Sequence, residues 1–132
     1  NINCLTMEKN CKKNEKKISC PIRSILDRFG DKWSMLVIIL LGKNEVLRFN
    51  ELANQIGDIS QKMLTVTLRT LEADGLISRK IYAEIPPRVE YSLTDIGKEL
   101  LPLIESLTQW AIKHKSVIEL SREKHSAGIQ SN

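Results

Sequence analysis

Hydrophobic side chains recur every three or four residues over most of the chain, the spacing that places them on one face of a helix. Residues 21–29 show this spacing, and Pro21 suits a first helical turn. Gly30 ends that segment, and Asp31 is a suitable N-cap for the next one. Residues 32–41, KWSMLVIILL, are apolar almost all round. They predict a helix buried in the middle of the domain.

Two further helices are predicted with only a short break between them. Residues 49–56, FNELANQI, place their apolar side chains on one helical face. A longer helix is predicted for residues 61–73, because Ser60 is a good N-cap and Gly75 suits the left-handed residue that closes a helix. Two helices separated by so short a break are typical of a helix-turn-helix.

Two runs around a pair of prolines predict a β-hairpin. Residues 76–85 and 88–93 alternate in polarity and include several β-branched side chains. Pro86 and Pro87 lie between them, where the missing backbone N–H groups prevent further pairing at the tip. Earlier in the chain, residues 46–48 predict at most a short strand.

A long final helix is predicted after the hairpin. Its apolar residues repeat at threes and fours after a cap at Thr94, Pro102 is expected to kink it, and the polar sequence after Leu120 is expected to fray. The predicted order is helix, helix, short strand, helix, helix, hairpin, helix. This order indicates a mainly α fold with a small β-hairpin wing: a winged helix-turn-helix with extra N- and C-terminal helices.

Length and composition narrow the class of protein. A chain of 132 residues fits one domain and excludes a multidomain enzyme. The longest apolar run, residues 35–41, is too short to span a bilayer, and the lysine-rich start lacks the apolar region of a secretory signal. A soluble, cytoplasmic protein with no membrane partner is therefore expected.

Most of the net charge of +4 lies in residues 1–19, which hold five lysines and two glutamates. This segment is predicted to be a basic, flexible arm, either solvated or in contact with DNA phosphates. The folded domain is expected at residues 20–120, with a polar tail at 121–132.

The predicted helix at 61–73 has one outward face without acidic groups. At about 100° per residue, Leu64, Leu68 and Leu71 form a buried stripe. Small or cationic side chains occupy the arc that faces away from this stripe: Lys62, Thr65, Val66 and Arg69. Ser60 and Gln61 begin the same helix, and residues 60–71 contain no Asp or Glu. Such a face suits a DNA major groove, with cations for guanine or phosphate and a methyl group for thymine.

The predicted hairpin adds three cations, Arg79, Lys80 and Arg88. Arg88 follows the stiff proline tip and is the preferred candidate, ahead of Lys80, for a phosphate or minor-groove contact. Glu84 and Glu90 leave a second possibility open, in which these cations pair with acids across the strands.

At these residues the sequence resembles the HxlR-type family of bacterial and archaeal transcriptional regulators, relatives of the MarR class. The resemblance covers roughly residues 20–111. Four stretches carry it: CPIRSILDRFGDKW, RFNEL, ISQKMLTVTLRTLEADGLISR and EIPPRVEYSLTDIGKELLP. It implies a homodimer that binds double-stranded DNA at a palindromic operator, with the terminal helices forming the dimer interface. It also implies that the helix after Ser60 is the recognition helix and that the segment around Arg88 is the wing.

The final helix supports a dimer independently of the resemblance. It has more apolar positions than one small core can cover, and an apolar surface of this kind usually marks an interface. The alternative is that the first helix covers these side chains within a single chain.

Cys20 is a candidate redox-sensing residue. It precedes Pro21 at the start of a predicted helix, where the helix dipole favours a thiolate. The resemblance implies that a cysteine at this position can sense quinones, aldehydes or oxidants, so an effector of this kind is a possible partner. The alternative is a small, buried, unreactive side chain.

The sequence argues against two other classes of function, an enzyme and a protein-docking module. Cys20 with His114 or His125 lacks the third residue of a catalytic triad, and neither a glycine-rich phosphate loop nor a metal-ligand spacing occurs. We therefore expect no enzyme, no metal and no cofactor. A winged helix that docks a protein instead of DNA is the stronger rival, but such a face more often carries large apolar anchors.

Overall fold

The computed structural model describes residues 21–130. Within this range the chain forms six helices and one three-stranded sheet. In chain order they are α1 (Pro21–Gly30), α2 (Lys32–Lys43), β1 (Leu47–Arg48), α3 (Phe49–Ile56), α4 (Gln61–Ala73), β2 (Ile77–Tyr82), β3 (Arg88–Leu93), α5 (Asp95–Glu99) and α6 (Leu101–Gln130). The predicted fold class, mainly helical with a small hairpin, is confirmed.

Local capping explains where the central helices begin and end. The Asp31 carboxylate accepts hydrogen bonds from the Trp33 backbone N–H at 3.1 Å and from the Ser34 hydroxyl at 2.8 Å. The Ser60 hydroxyl accepts from the Met63 backbone N–H at 3.1 Å, which starts α4. Gly75 has a φ of 75°, a conformation that glycine adopts without steric cost. The predicted N-caps and the predicted left-handed glycine are therefore confirmed.

The sheet joins the two halves of the fold. The hairpin pairs Ile77 with Leu93 and Tyr82 with Arg88 at its two ends. β1 pairs antiparallel with the other edge of β3, so the strand order is β1-β3-β2. The short strand was predictable from its sequence, but its partner was not, because the pairing spans more than forty residues of chain.

The hydrophobic core lies where α2, α4 and the sheet meet. The apolar stripe of α4 is almost completely buried, with Leu64, Leu68 and Leu71 at most 2% exposed. It packs with buried side chains of α2 and of the sheet, among them Val37 and Ile77. The burial of this stripe fixes the opposite face of α4 toward solvent.

The C-terminal helical region differs from the sequence prediction in two ways. A single helix kinked at Pro102 was expected, but the chain forms two helices, with Leu100 as the C-cap of α5. The proline lacks an N–H, and its ring would clash with the carbonyl group of Lys98, so the first helix ends before it. The expected fraying after Leu120 is also wrong, because α6 continues to Gln130.

Much of α6 extends beyond the core with its apolar side chains uncovered. Leu103, Leu107, Trp110, Ile112 and Val117 are each more than half exposed. No helix in residues 21–130 is long and apolar enough to cross a membrane.

An apolar groove lies beside α1. It has a cavity volume of about 470 Å³, and its walls come from α1, α2, α5 and the start of α6. Most of the lining is hydrophobic, including Phe29, Ile38 and Leu103, while Arg28, Asp74 and Glu99 contribute charged side chains.

Candidate DNA-binding surface

The solvent face of α4 presents cations that no acid neutralises. Lys62 and Arg69 are exposed, and neither forms an ion pair with any residue in the range 21–130. Val66 lies between them on the same face with 49% of its surface exposed. Because both cations are available to a ligand, this face matches what sequence patterning predicted for a groove-reading helix.

Hydroxyl groups shape the first two turns of α4. The Ser60 oxygen is used by the N-cap, although its hydrogen can still be donated to a ligand. The Thr65 hydroxyl donates to the Gln61 carbonyl oxygen at 2.8 Å, so Thr65 offers a methyl group and an acceptor lone pair. The side chain of Gln61 is exposed at the start of the helix. Ser60 and Gln61 thus lie just before Lys62, and Thr65 lies between Lys62 and Val66 in the sequence.

Arg79 points toward α4 and not toward the outer face of the wing. It is paired in register with the buried Tyr91, and its Nε lies 3.6 Å from Glu72 Oε2 in the last turn of α4. Burial raises the pKa of the Tyr91 phenol, the positive charge of Arg79 opposes that rise, and the charge of Glu72 adds to it. Arg79 therefore ties the wing to the recognition helix as well as adding charge near it.

Lys80, Tyr82, Arg88 and Glu90 share the outer face of the hairpin. The Arg88 guanidinium stacks on Tyr82, with Cζ 4.1 Å from the ring centroid, and it forms ion pairs with Glu84 at 3.4 Å and Glu90 at 3.3 Å. Its Nε is close to Glu90 but not in hydrogen-bonding geometry, so that contact is electrostatic only. Arg88 is thus paired with acids, as the sequence alternative allowed, but not across the strands: Glu90 lies two residues further along β3, and Glu84 lies in the hairpin loop.

Lys80 is the less restrained cation of the wing. Its Nζ lies 4.9 Å from the Tyr82 ring centroid, and the residue is exposed. It lies opposite Glu90 in the strand register, but the two side chains form no ion pair. From the sequence, Arg88 was predicted to be a better candidate for a DNA contact than Lys80. In the structure the acids beside Arg88 make Lys80 the more available cation.

Sequence reasoning missed the contacts that fasten the far end of α4. Arg28 of α1 forms an ion pair with Asp74, the C-cap residue of α4. The Thr94 hydroxyl donates to the Gly75 carbonyl oxygen at 2.6 Å. No sequence signal identifies either contact, because each joins residues that are distant along the chain.

Several other expectations concern different parts of the chain. Cys20 and the basic arm lie outside the described residues. Within residues 21–130, no cluster of three or more His, Cys, Asp or Glu side chains could hold a metal ion. His114 packs against Trp110 on α6, with ring centroids 4.9 Å apart.

A helix-turn-helix followed by a hairpin that contacts the second helix defines the winged helix-turn-helix, a class of DNA-binding domain. The sequence profile of the HxlR-like helix-turn-helix family matches residues 28–119. The chain belongs to this family, and the resemblance noted in the sequence is confirmed.

Relatives of known sequence or structure agree with this assignment. An HTH-type transcriptional regulator of Halalkalibacterium halodurans is 47% identical over 96 residues, which cover 73% of this chain and 85% of the relative. The redox regulator HypR in its reduced form has a TM-score of 0.69 and 38% identity, over 75% of this chain and 97% of HypR. The reduced transcriptional regulator YodB of Bacillus subtilis has a TM-score of 0.62 and 34% identity, over 71% and 92% of the two chains. The protein is thus a transcriptional regulator with a helix-turn-helix domain.

Proposed function

We propose that the protein acts as a homodimer that recognises a palindromic DNA operator through α4. In this proposal the major groove is faced by four residues of α4: Lys62, Thr65, Val66 and Arg69. Ser60 and Gln61, at the start of the helix, contact the DNA backbone. The wing follows the adjacent phosphates or the minor groove, with Lys80 as its main free cation. Arg79 and Arg88 mainly hold the wing in place.

The observation that carries this proposal is the face of α4 on which Lys62 and Arg69 form no ion pair with the residues that the structure describes. The rest of the described domain contains similar numbers of acids and bases, and elsewhere several of its arginines are paired with carboxylates. Free cations on a helix whose other face is locked into the core are suited to a polyanion of fixed shape.

Two features support the homodimer. The apolar side chains of α6 are uncovered along most of its length, and the groove beside α1 is also open. A two-fold axis would let each copy cover the exposed apolar surface of the other, and it would match a palindromic operator. Light scattering that finds a stable monomer at micromolar concentration would contradict this part of the proposal.

We further propose that Cys20 makes the protein responsive to oxidants or electrophiles. Its sequence position directly before α1 and the similarity to a redox regulator support this. Replacing Cys20 by Ser is expected to abolish release of the operator by diamide or quinones. Unchanged release would show that Cys20 does not act as the sensor.

Selection of bound duplexes from a random pool, with and without an oxidant, tests the proposed function. We expect enrichment of a two-fold symmetric sequence under reducing conditions and its loss after oxidation. If no sequence is enriched in either condition, the protein is not a sequence-specific DNA-binding protein, and a protein-docking role becomes the better explanation.

A further inference from the structure

Hydrogen bonds from α4 itself and from the segment after the wing hold the C-terminal end of the recognition helix. Two backbone hydrogen bonds cap α4 at this end, both at 3.0 Å. The Gly75 N–H donates to the Glu72 carbonyl oxygen, and the Leu76 N–H donates to the Leu71 carbonyl oxygen. From the wing side, Thr94 donates its hydroxyl to the Gly75 carbonyl oxygen and its N–H to the Leu76 carbonyl oxygen. This end of α4 is therefore held in place, and the proposed groove-facing residues extend from Lys62 in the first turn to Arg69, five residues before Asp74.

Asp74 occupies a position where a carboxylate is electrostatically unfavourable. It is the C-cap residue of α4, and the C-terminus of a helix carries a partial negative charge. Its side chain forms no hydrogen bond that caps a backbone group of α4; it accepts one from Arg28 Nε instead. The ion pair offsets the repulsion, and its location indicates that Asp74 serves the contact with α1.

Arg28 lies in the last turn of α1, a helix whose apolar side chains are partly open to solvent. Ile25 and Leu26 of the same helix are 60% and 54% exposed. The contact with Asp74 is the single ion pair that α1 makes with described residues. It spans 46 positions of the chain and joins the first helix directly to the recognition helix.

We propose that Arg28 and Asp74 form a positioning pair for DNA binding, through which the placement of α1 sets the tilt of α4. This inference rests on the proposed DNA-binding function. α4 has thirteen residues and is about 20 Å long, so a tilt of about 5° at its C-terminal end moves the first turn by roughly 1.7 Å. A displacement of that size is enough to lose hydrogen bonds to base edges.

The groove beside α1 gives this pair a second consequence. Arg28 and Asp74 both line the groove, together with Glu99 and next to Phe29 and Leu76. Any occupant that displaces α1 therefore acts on the ion pair as well. In this proposal the surface beside α1 is thus connected with the face of α4 that carries Lys62 and Arg69.

A double-mutant cycle on the full chain tests the pair. The variants are Arg28→Gln, Asp74→Asn and their combination, and the probes are the duplex selected from the random pool and a scrambled duplex of equal length. Each single variant is expected to lower the ratio of specific to scrambled affinity about fivefold. The double variant should be no worse than either single variant, because both remove the same contact.

Asp27→Asn is the matched control. Asp27 lies one residue before Arg28, is exposed and forms no ion pair among the described residues, so the same change of charge should leave the ratio unchanged. Stoichiometric titration separates loss of folded protein, which lowers the active fraction, from loss of positioning, which lowers the affinity ratio. A swapped pair, Arg28→Asp with Asp74→Arg, should recover most of the ratio.

The outcomes are distinguishable. If the wild-type protein binds both duplexes equally, the proposed function fails and the positioning role fails with it. If the wild-type protein discriminates but Asp74→Asn behaves like Asp27→Asn, only the positioning role is wrong. If Arg28→Gln weakens binding further in the Asp74→Asn background, Arg28 contacts DNA directly and the pair is not a positioning element.

Discussion

The recognition helix and the wing carry the same kinds of cations but present them differently. On α4, Lys62 and Arg69 have no carboxylate partner among residues 21–130. In the wing, Arg88 is shared between two glutamates and a tyrosine ring, and Arg79 is held by Glu72. The difference shows that the number of cations on a helix or strand does not by itself indicate how well that element can bind a polyanion such as DNA. The acids around each cation decide what remains available.

Replacing Arg69 by Ala should have the largest effect on binding. Loss of this unpaired cation is expected to cost about 1–3 kcal/mol with the selected duplex and to relax the preference at one base position. Fluorescence anisotropy with the selected duplex and its single-base variants measures both. Arg122→Ala, an exposed arginine on α6 without an ion pair in residues 21–130, is the control. An equal loss on selected and scrambled duplexes would show that Arg69 only contacts phosphate.

Replacing Arg88 by Ala should affect stability more than binding. Its ion pairs and its stacking on Tyr82 lie in a partly exposed setting, so the loss in the free energy of unfolding is expected to be about 1 kcal/mol. Denaturant unfolding checks this value. The change in operator affinity should be smaller than that of Lys80→Ala. The reverse order would mean that Arg88 leaves its glutamate partners when DNA binds.

Removing the Glu72 carboxylate should leave the wing with an unpaired arginine, as on α4. Glu72→Gln frees Arg79 beside α4, and operator affinity is expected to rise about twofold at low salt and less at high salt. Glu45→Gln removes the same charge from an exposed residue without an ion pair in the described range. A rise of the same size in both variants would be a general effect of net charge and not a release of Arg79.

The smallest effect is expected on the free energy of unfolding at high pH. It comes from Tyr91, a buried wing residue whose phenol is close to Arg79 of the wing and Glu72 of α4. Because burial raises the pKa of this phenol in the folded state, the unfolded chain loses the proton first, at about pH 10. The stability that comes from the neutral phenol is complete below that pH and declines as the pH rises toward the folded-state value. Tyr91→Phe should lack this part of the decline in alkaline denaturant unfolding. Parallel curves for the two proteins would contradict it.

Sequence patterning predicted the local part of this fold. Apolar spacing and capping residues such as Ser60 and Gly75 determine helices over a few residues, and these were found where expected. The break before Pro102 was predicted only as a kink, because whether a proline bends or ends a helix depends on packing around it.

The candidate site was only partly predictable for a related reason. The free face of α4 follows from helical periodicity, since the buried stripe dictates the opposite arc. The acids near Arg88 are visible in residues 84–90, but its stacking on Tyr82 depends on the strand register that pairs the two residues. The contact between Arg28 and Asp74 depends on tertiary packing and has no signal in a short stretch of sequence.

A salt titration of binding to the selected duplex and to a scrambled duplex, with the wild-type protein and the Arg69→Ala variant, tests the central claim most directly. We expect the wild-type protein to bind the selected duplex at least about 1,000-fold more tightly at physiological salt, with affinity for both duplexes falling as salt is added. Arg69→Ala should lose a large part of that discrimination. Equal binding of the two duplexes by the wild-type protein would contradict the claim that the unpaired face of α4 reads DNA sequence.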